Sequence, residues 1–286
     1  MPLTAFQSHV FAAIAGARDA SSYLAGGAAL HLAASGERYS EDLDLFHASA
    51  VAANTAFSHD AATLRDAGYA VTVDLQYPGF VKARVTDGAE TTEIDWAHES
   101  AWRFLPLVPI DGGGVMLHPI DLAINKLIAL ANRREPRDLV DVLYADAHIL
   151  PFAALVWAVV EKNPGLNPSS YLEQFRRRTI TPEDAAVLRF TGEYDVAAAA
   201  ARYRAMGDEA DAFNRAHHAR EPGALFQHRL TGAFFLPRTE AEWAVTHEHR
   251  GALGGVVPLL SVSPVTPANA SSATARPKYN TPRKRS

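Results

Sequence analysis

Three aspartates on predicted strands could bind a divalent cation. Asp42 and Asp44 alternate with leucines in the stretch DLDLF, and this period of two indicates a half-buried strand. Their carboxylates therefore project from one face, about 7 Å apart along the strand. Asp95, which lies between Ile94 and Trp96, is the expected third ligand. Mg²⁺ prefers carboxylate oxygens together with phosphate oxygens and water, and two such ions can stabilise both the attacking and the leaving oxygen of a phosphoryl displacement.

A glycine pair precedes these acids. Gly26 and Gly27 follow the short apolar run Tyr23–Ala25 and lead into Ala28–Ala34, a segment of good helix formers. Glycines between a strand and a helix let the backbone approach an anion, and a helix N-terminus favours negative charge. We therefore expect both glycines to bind the phosphates of a nucleoside triphosphate (NTP), beside the metal carboxylates. The residues alone thus indicate binding of NTP with Mg²⁺ and nucleotidyl transfer.

The surrounding elements predict an α+β fold. An amphipathic helix at about residues 4–17 comes before the strand–helix–strand unit of glycines and acids, and another helix follows at 52–68. A Pro-Gly and an Asp-Gly pair, both hairpin signals, then separate three strand candidates at Tyr69–Gln76, Phe80–Thr86 and Thr91–Trp96. We expect a mixed sheet with helices on one side, in an α+β or loosely α/β arrangement.

Composition divides the chain into three predicted parts. Residues 1–112 form the mixed α/β domain, and the run Gly112–Gly114 is a flexible joint. Residues 115–260 form a helical domain, in which prolines at 119 and 136 each open a helix. Residues 261–286 are rich in Pro, Ser, Ala and Thr and are predicted to be a disordered tail.

Bulk properties exclude several classes of protein. The formal net charge is −5, from 27 basic and 32 acidic residues, so a nucleic-acid partner would need a local basic patch. There is no cysteine, which excludes disulfides and thiolate metal sites. The N-terminal stretch lacks the basic region of a signal peptide, and no apolar run approaches the roughly 18 residues of a membrane span. We therefore expect a cytoplasmic protein with no membrane partner.

Two stretches resemble a known enzyme family. The stretch GGAALHLAASGERYSEDLDLF resembles the signature of the polymerase-β-like nucleotidyltransferase superfamily, with its glycine pair, short helix and acid–hydrophobic–acid strand. More narrowly, it resembles the AbiEii/AbiGii-type toxin branch, which has an Arg and a Ser just before the acids, as Arg38 and Ser40 are here. The stretch DLAINKLIALANRREPRDLVDVLYA is similar to the branch's second hallmark. The resemblance covers about residues 20–146, and Ala28 stands where many superfamily members carry a hydroxyl.

The second hallmark adds basic and acidic candidates. Lys126 lies within the apolar run INKLIAL, where its charge is costly unless it reaches an anion such as a triphosphate. Arg133 is seven residues later and should share the helical face of Lys126. Asp138 and Asp141 are three apart, and either could act as a base on the acceptor or orient Lys126. The resemblance implies catalytic roles for Lys126 and these acids, and nucleotide binding by Arg38, Ser40, Lys126 and Arg133.

The resemblance also implies an activity and partners. The protein would be a Mg²⁺-dependent nucleotidyltransferase that transfers a nucleoside monophosphate and releases pyrophosphate. It would be the toxin of an abortive-infection toxin–antitoxin pair with a cognate antitoxin. The implied acceptor is RNA, such as the 3′ end of tRNA, or a protein side chain.

Other interpretations of the same residues remain open. A D-x-D strand alone is more often a solvated face, and Lys126 could reach solvent while Arg137 pairs with Asp141 along a helix. A nucleotide-binding module without catalysis is one alternative function. Another is a transferase that uses D-x-D to hold a sugar nucleotide. The leaving group distinguishes these possibilities, because only a nucleotidyltransferase labels its acceptor with the nucleoside monophosphate.

Overall fold

The computed structural model describes residues 3–32 and 36–259, which form a mixed seven-stranded sheet, two small sheets and flanking helices. The strands are β1 (Ser22–Ala25), β2 (Asp42–His47), β3 (Ala70–Tyr77), β4 (Phe80–Thr86), β5 (Thr91–His98), β6 (Trp102–Arg103), β7 (Val108–Pro109), β8 (Val115–Met116), β9 (Leu225–His228), β10 (Thr246–His249) and β11 (Ala252–Leu253). The large sheet has the order β3-β4-β5-β2-β1-β8-β7. Its β2–β5 and β1–β8 pairs are parallel and its other pairs are antiparallel, so the prediction of a mixed sheet in an α+β fold is confirmed.

The helices begin close to the predicted positions. They are α1 (Ala5–Ile14), α2 (Gly26–Leu32), α3 (Ala50–Asp66), α4 (Pro119–Asn132), α5 (Pro136–His148), α6 (Phe152–Lys162), α7 (Pro168–Arg176), α8 (Pro182–Ala186), α9 (Val196–Ala216) and α10 (Glu240–Ala244). Proline occupies the first turn of both α4 and α5, as predicted, because that position needs no amide donor. The predicted end of α2 at Ala33–Ser35 lies outside the described residues.

Two hydrophobic cores occupy the described part of the chain. The first lies between the large sheet and helices α1 and α3, and the second lies among α4 to α7 and α9. Helices α4 and α5 contribute to both, because Leu122 of α4 and Tyr144 of α5 pack into the first core. These two helices therefore hold the helical part of the chain against the sheet.

The glycine run Gly112–Gly114 has a different role from the one expected. It lies in the turn of the β7–β8 hairpin, where the Ile110 amide donates to the Gly114 carbonyl at 3.1 Å. Both flanking segments belong to the large sheet, so the run is the turn between two paired strands. The region 115–260, expected to be helical, also contributes strands β8 to β11. The domain boundaries stay a prediction, and residues 261–286 lie outside the described part.

No single helix within residues 3–32 and 36–259 is long and apolar enough to cross a membrane. Helices α5 and α6 meet that length and composition test only as a pair, bent by 117° at their junction.

A buried ion pair fixes the strand that carries Asp95. Arg18 Nη2 donates to both carboxylate oxygens of Asp60 on α3, each at 2.8 Å, and both side chains are fully buried. Trp96 of β5 donates from its indole Nε1 to the same carboxylate at 2.8 Å. Because Trp96 is the next residue after Asp95 and faces the core, this contact sets the position of the acid on the opposite face.

We predict that Asp60→Ala destabilises the protein by about 3–5 kcal/mol, because it leaves the buried Arg18 guanidinium without its anion. Chemical denaturation followed by circular dichroism measures the change in the free energy of unfolding. The matched control is Asp74→Ala, which breaks an ion pair with Arg84 on the exposed surface and should leave the unfolding midpoint nearly unchanged. Equal losses in the two variants would contradict the importance of the buried pair.

Candidate active site

Three aspartates meet at one small cavity. In the parallel pairing of β2 with β5, Asp44 lies directly opposite Asp95, and Asp42 lies two residues before Asp44 on the same face. Leu43 and Leu45 are fully buried on the other face, which fixes this orientation. The cavity has a volume of about 200 Å³ and is lined by Gly27, Arg38, Asp42, Asp44, Lys82, Asp95, Lys126, Arg133 and Arg137. Most of the residues singled out in the sequence therefore lie around one space.

Basic side chains already contact two of the three acids. Arg137 Nη1 lies 3.1 Å from Asp42 Oδ2, and the Ser40 hydroxyl donates to Asp42 Oδ1 at 3.3 Å. Burial opposes ionisation of Asp42, but the charge and hydrogen bond of Arg137 outweigh it and lower the pKa of Asp42. Lys82 Nζ lies 3.4 Å from Asp95 Oδ1.

Asp44 differs from the other two acids. Its carboxylate has no hydrogen bond and no ion pair with any described residue. Burial and the negative charge of Asp42 raise the pKa of Asp44 to about 6. Burial likewise raises the pKa of Asp95, although the charge of Lys82 opposes the shift. The site thus has an unbalanced negative charge at Asp44.

The oxygen donors of these acids are chemically suited to a hard divalent cation. Carboxylate oxygens on one cavity wall are the ligands that Mg²⁺ prefers, and the unpartnered Asp44 carboxylate is free to bind one. In the described part of the chain, however, no three acidic, histidine or cysteine side chains are close enough together to hold a metal ion. Arg137 and Lys82 instead neutralise two of the three carboxylates.

The glycine pair makes room for these side chains. Gly26 has φ +64°, and a Cβ atom there would lie 1.7 Å from Asp44 Oδ2. A Cβ on Gly27 would lie 2.9 Å from Arg38 Nη2 and 3.1 Å from the Ser40 hydroxyl. Gly27 lines the cavity, whereas Gly26 lies against the Asp44 carboxylate. Contact of both glycines with phosphates stays a prediction, but the packing gives an independent reason why position 26 does not accept a side chain, and a side chain at 27 would require Arg38 and Ser40 to shift.

Asp141 is the buried partner of Lys126. Lys126 Nζ lies 2.8 Å from Asp141 Oδ2 and 3.8 Å from Asp138 Oδ1. Arg38 donates to both oxygens of Asp141 at 2.7 Å, and His31 Nε2 lies 2.9 Å from Asp141 Oδ1. Burial opposes the charge on Asp141, yet Lys126 and Arg38 hold its pKa well below the usual range. A carboxylate with so many donors orients Lys126 and is poorly suited to act as a base.

Arg133 reaches the cavity by a route that the sequence did not predict. Helix α4 ends at Asn132, and Arg133 is extended with φ −142° and ψ 167°. The expectation that Arg133 continues the helical face of Lys126 is therefore wrong. Its guanidinium donates to Asp138 from Nε at 2.8 Å and from Nη2 at 3.0 Å, and it still lines the cavity.

Sequence reasoning missed three side chains of the site. The spacing in the sequence suggests that Arg137 pairs with Asp141 along one helix, but Arg137 reaches β2 and contacts Asp42. Lys82 lies directly opposite Asp95 in the β4–β5 pairing, which counting from the Asp-Gly hairpin turn would have shown. His31 is fully buried against Asp141, and no local pattern distinguishes it from a histidine of the core.

The helical part of the chain also positions the site. The loop between α8 and α9 pairs with the segment that carries Arg38. The Tyr39 amide donates to the Arg189 carbonyl at 2.8 Å, and the Thr191 amide donates to the Glu37 carbonyl at 2.9 Å. These two bonds flank Arg38, so residues beyond the recognised motifs help to hold its guanidinium on Asp141.

The chain is similar to one known protein family and to several solved structures. Residues 11–244 match the family described as nucleotidyl transferase AbiEii toxin, type IV TA system. No curated protein matches the chain significantly in sequence. Among solved structures, JHP933 from Helicobacter pylori is 18% identical, with 74% of this chain and 94% of that chain covered and a TM-score of 0.47. The nucleotidyltransferase toxin MenT4 from Mycobacterium tuberculosis H37Rv is 17% identical, with 70% and 80% covered and a TM-score of 0.49.

The matched residues 11–244 include the glycine pair, the three aspartates and helices α4 and α5, and they span most of the chain. The chain therefore belongs to the AbiEii nucleotidyltransferase toxin family of type IV toxin–antitoxin systems.

Proposed function

We propose that this toxin nucleotidyltransferase uses Mg²⁺ to transfer a nucleoside monophosphate from an NTP to a macromolecule, and that a cognate antitoxin counteracts it. One observation carries the proposal. Asp42, Asp44 and Asp95 line a single cavity, and on its other walls are Lys126, Arg133 and further cations able to bind phosphates. A cavity with both kinds of charge is suited to a metal-bound triphosphate.

Different residues of the cavity would bind the metal and stabilise the triphosphate. Asp42, Asp44 and Asp95 would hold Mg²⁺, which when bound neutralises phosphate charge and stabilises the attacking and leaving oxygens. Lys126, held by Asp141, would stabilise the charge that develops on the triphosphate. The Arg38 guanidinium donates to both oxygens of Asp141, so Arg38 would position Lys126 through that carboxylate.

The transfer step places a proton on Asp95. The acceptor hydroxyl oxygen bonds to the α-phosphorus, the bond from that phosphorus to the bridging oxygen breaks, and pyrophosphate leaves. Asp95 would take the hydroxyl proton, because burial raises its pKa and its contact with Lys82 Nζ is a long one of 3.4 Å. Asp138 and Asp141, the bases considered from the sequence, are instead occupied by Arg133, Arg38 and Lys126.

Labelling experiments decide between the acceptors and the alternative functions. Incubation with each α-labelled NTP, Mg²⁺ and total cellular RNA or lysate should transfer the label to one acceptor. Sensitivity of the product to ribonuclease or protease then distinguishes RNA, such as the 3′ end of tRNA, from protein. Growth inhibition without any transferred label would support a binding module, and transfer of a sugar from a sugar nucleotide would support the other alternative.

We predict that Asp44→Asn lowers the rate of label transfer by at least about 100-fold, because losing a metal ligand removes several kcal/mol of transition-state stabilisation. Growth inhibition should be lost with it. The matched control is Asp74→Asn, because Asp74 pairs with Arg84 and neither residue lines the cavity. Transfer that survives Asp44→Asn would contradict the assignment of Asp44 as a metal ligand.

The raised pKa of Asp44 predicts a pH effect on stability. The folded pKa is about 6 against an ordinary value of 3.8, so the folded state binds this proton more tightly than the unfolded state. Ionised Asp44 therefore destabilises the metal-free fold as pH rises through the range from about 4 to about 6. Asn at this position removes that cost.

Melting temperatures in EDTA test this prediction. Asp44→Asn should be more stable than the parent protein at pH 7.5, and its advantage should shrink at pH 5, where Asp44 of the parent is protonated. Asp74→Asn should show no such pH-dependent gain. An advantage of Asp44→Asn that is equal at both pH values, or larger at pH 5, would contradict the origin given for the shift.

A further inference from the structure

Among the basic residues that line the cavity, Arg137 depends most on a proposed metal ligand for its contacts. It lies in the first turn of α5 and its side chain is 21% exposed. Its Nη1 lies 3.1 Å from Asp42 Oδ2 and 3.8 Å from Glu41 Oε2. Its Nε is buried and has no hydrogen-bond partner among the described residues. The guanidinium thus makes one close contact, and that contact is to a proposed metal ligand.

The other cations of the cavity have partners that a metal would leave in place. Lys126 is held by Asp141, and Arg133 is held by Asp138, neither of which belongs to the aspartate triad. Lys82 contacts Asp95, but its shorter contact is to Glu93 at 2.9 Å. Binding of a metal at the triad therefore deprives only Arg137 of its main partner.

A divalent cation and Arg137 compete for the same carboxylate. Ser40 donates to Oδ1 of Asp42 and Arg137 to Oδ2, so a metal ligated through Oδ2 takes the position that the arginine occupies. Two cations on one carboxylate oxygen repel each other, and the displaced guanidinium would be left with an unpaired charge in a partly buried position. A phosphate group is a suitable new partner, because the guanidinium fork binds two phosphate oxygens at once.

We propose that Arg137 occupies Asp42 in the free enzyme in place of the metal, and that it moves to a phosphate of the incoming NTP when a divalent cation binds. This role rests on the proposed function and adds to it a coupling between the two ligands. Metal alone must displace Arg137 without giving it a new anion, whereas metal with NTP supplies one. Each ligand therefore strengthens the binding of the other by the same factor.

Manganese binding measures this coupling without catalysis. Mn²⁺ is titrated by electron paramagnetic resonance with and without an NTP whose α,β-bridging oxygen is replaced by methylene. In Arg137→Gln, the affinity for Mn²⁺ without nucleotide should rise about tenfold, because a charge-assisted contact that competes for Asp42 is gone. The affinity for the NTP analogue should fall about tenfold, because a phosphate ligand is lost. Thermal melting confirms that the variant is folded.

Two further variants sharpen the test. Arg137→Lys keeps the positive charge without the fork, so it should retain the weak Mn²⁺ binding of the parent protein and lose affinity for the analogue. Arg134→Gln removes an exposed arginine of the preceding loop and should change neither affinity. An Arg137→Gln variant whose Mn²⁺ affinity without nucleotide is unchanged overturns the displacement, even if it binds the analogue more weakly.

Asp42→Asn separates this role from the proposed function. If the parent protein binds Mn²⁺ and Asp42→Asn abolishes that binding, the metal site stands, and the Arg137 variants decide the displacement alone. If Asp42→Asn leaves Mn²⁺ binding unchanged, or the parent protein binds none even with the analogue, the metal ligands are wrong. The role of Arg137 is then overturned as well.

Discussion

Repulsion between three carboxylates is the constraint on which the rest of the site depends. The parallel pairing of β2 with β5 places Asp44 opposite Asp95 and brings Asp42 to the same cavity of about 200 Å³. The hydrogen bonds of the sheet and the buried leucines of β2 leave these acids no freedom to separate. Cations must therefore come from elsewhere in the fold, and Arg137 and Lys82 provide them when no metal is bound.

Helices α4 and α5 connect this electrostatic balance to the packing of the molecule. They contribute to both hydrophobic cores, so their position over the sheet is fixed on two sides. From that position α4 presents Lys126 to the cavity, and α5 presents Arg137 together with Asp141, which holds Lys126. Asp141 in turn receives Arg38, whose segment is paired with the loop before α9. The helical part of the chain is thus a structural requirement of the site on the sheet.

Residues that follow a local pattern could be predicted from the sequence. Alternation with leucines predicted the strand and common face of Asp42 and Asp44, and the hairpin signals predicted strands β3 to β5. The contact of Arg137 with Asp42 joins residues 95 apart in sequence and depends on how α5 packs on the sheet. No periodicity contains that information. The glycines at 112 to 114 were ambiguous for a related reason, since a hairpin turn and a flexible joint use the same residues.

The central claim is that the acids of β2 and β5, and not those of α5, hold the divalent cation. Anomalous diffraction from crystals grown with Mn²⁺ and a non-hydrolysable NTP tests it most directly, because it locates the ion itself. The account predicts a manganese peak coordinated by Asp42, Asp44 and Asp95, with Asp138 and Asp141 still bound to Arg133 and Lys126. A peak on Asp138 or Asp141, or an ordered nucleotide with no manganese beside β2, would contradict it.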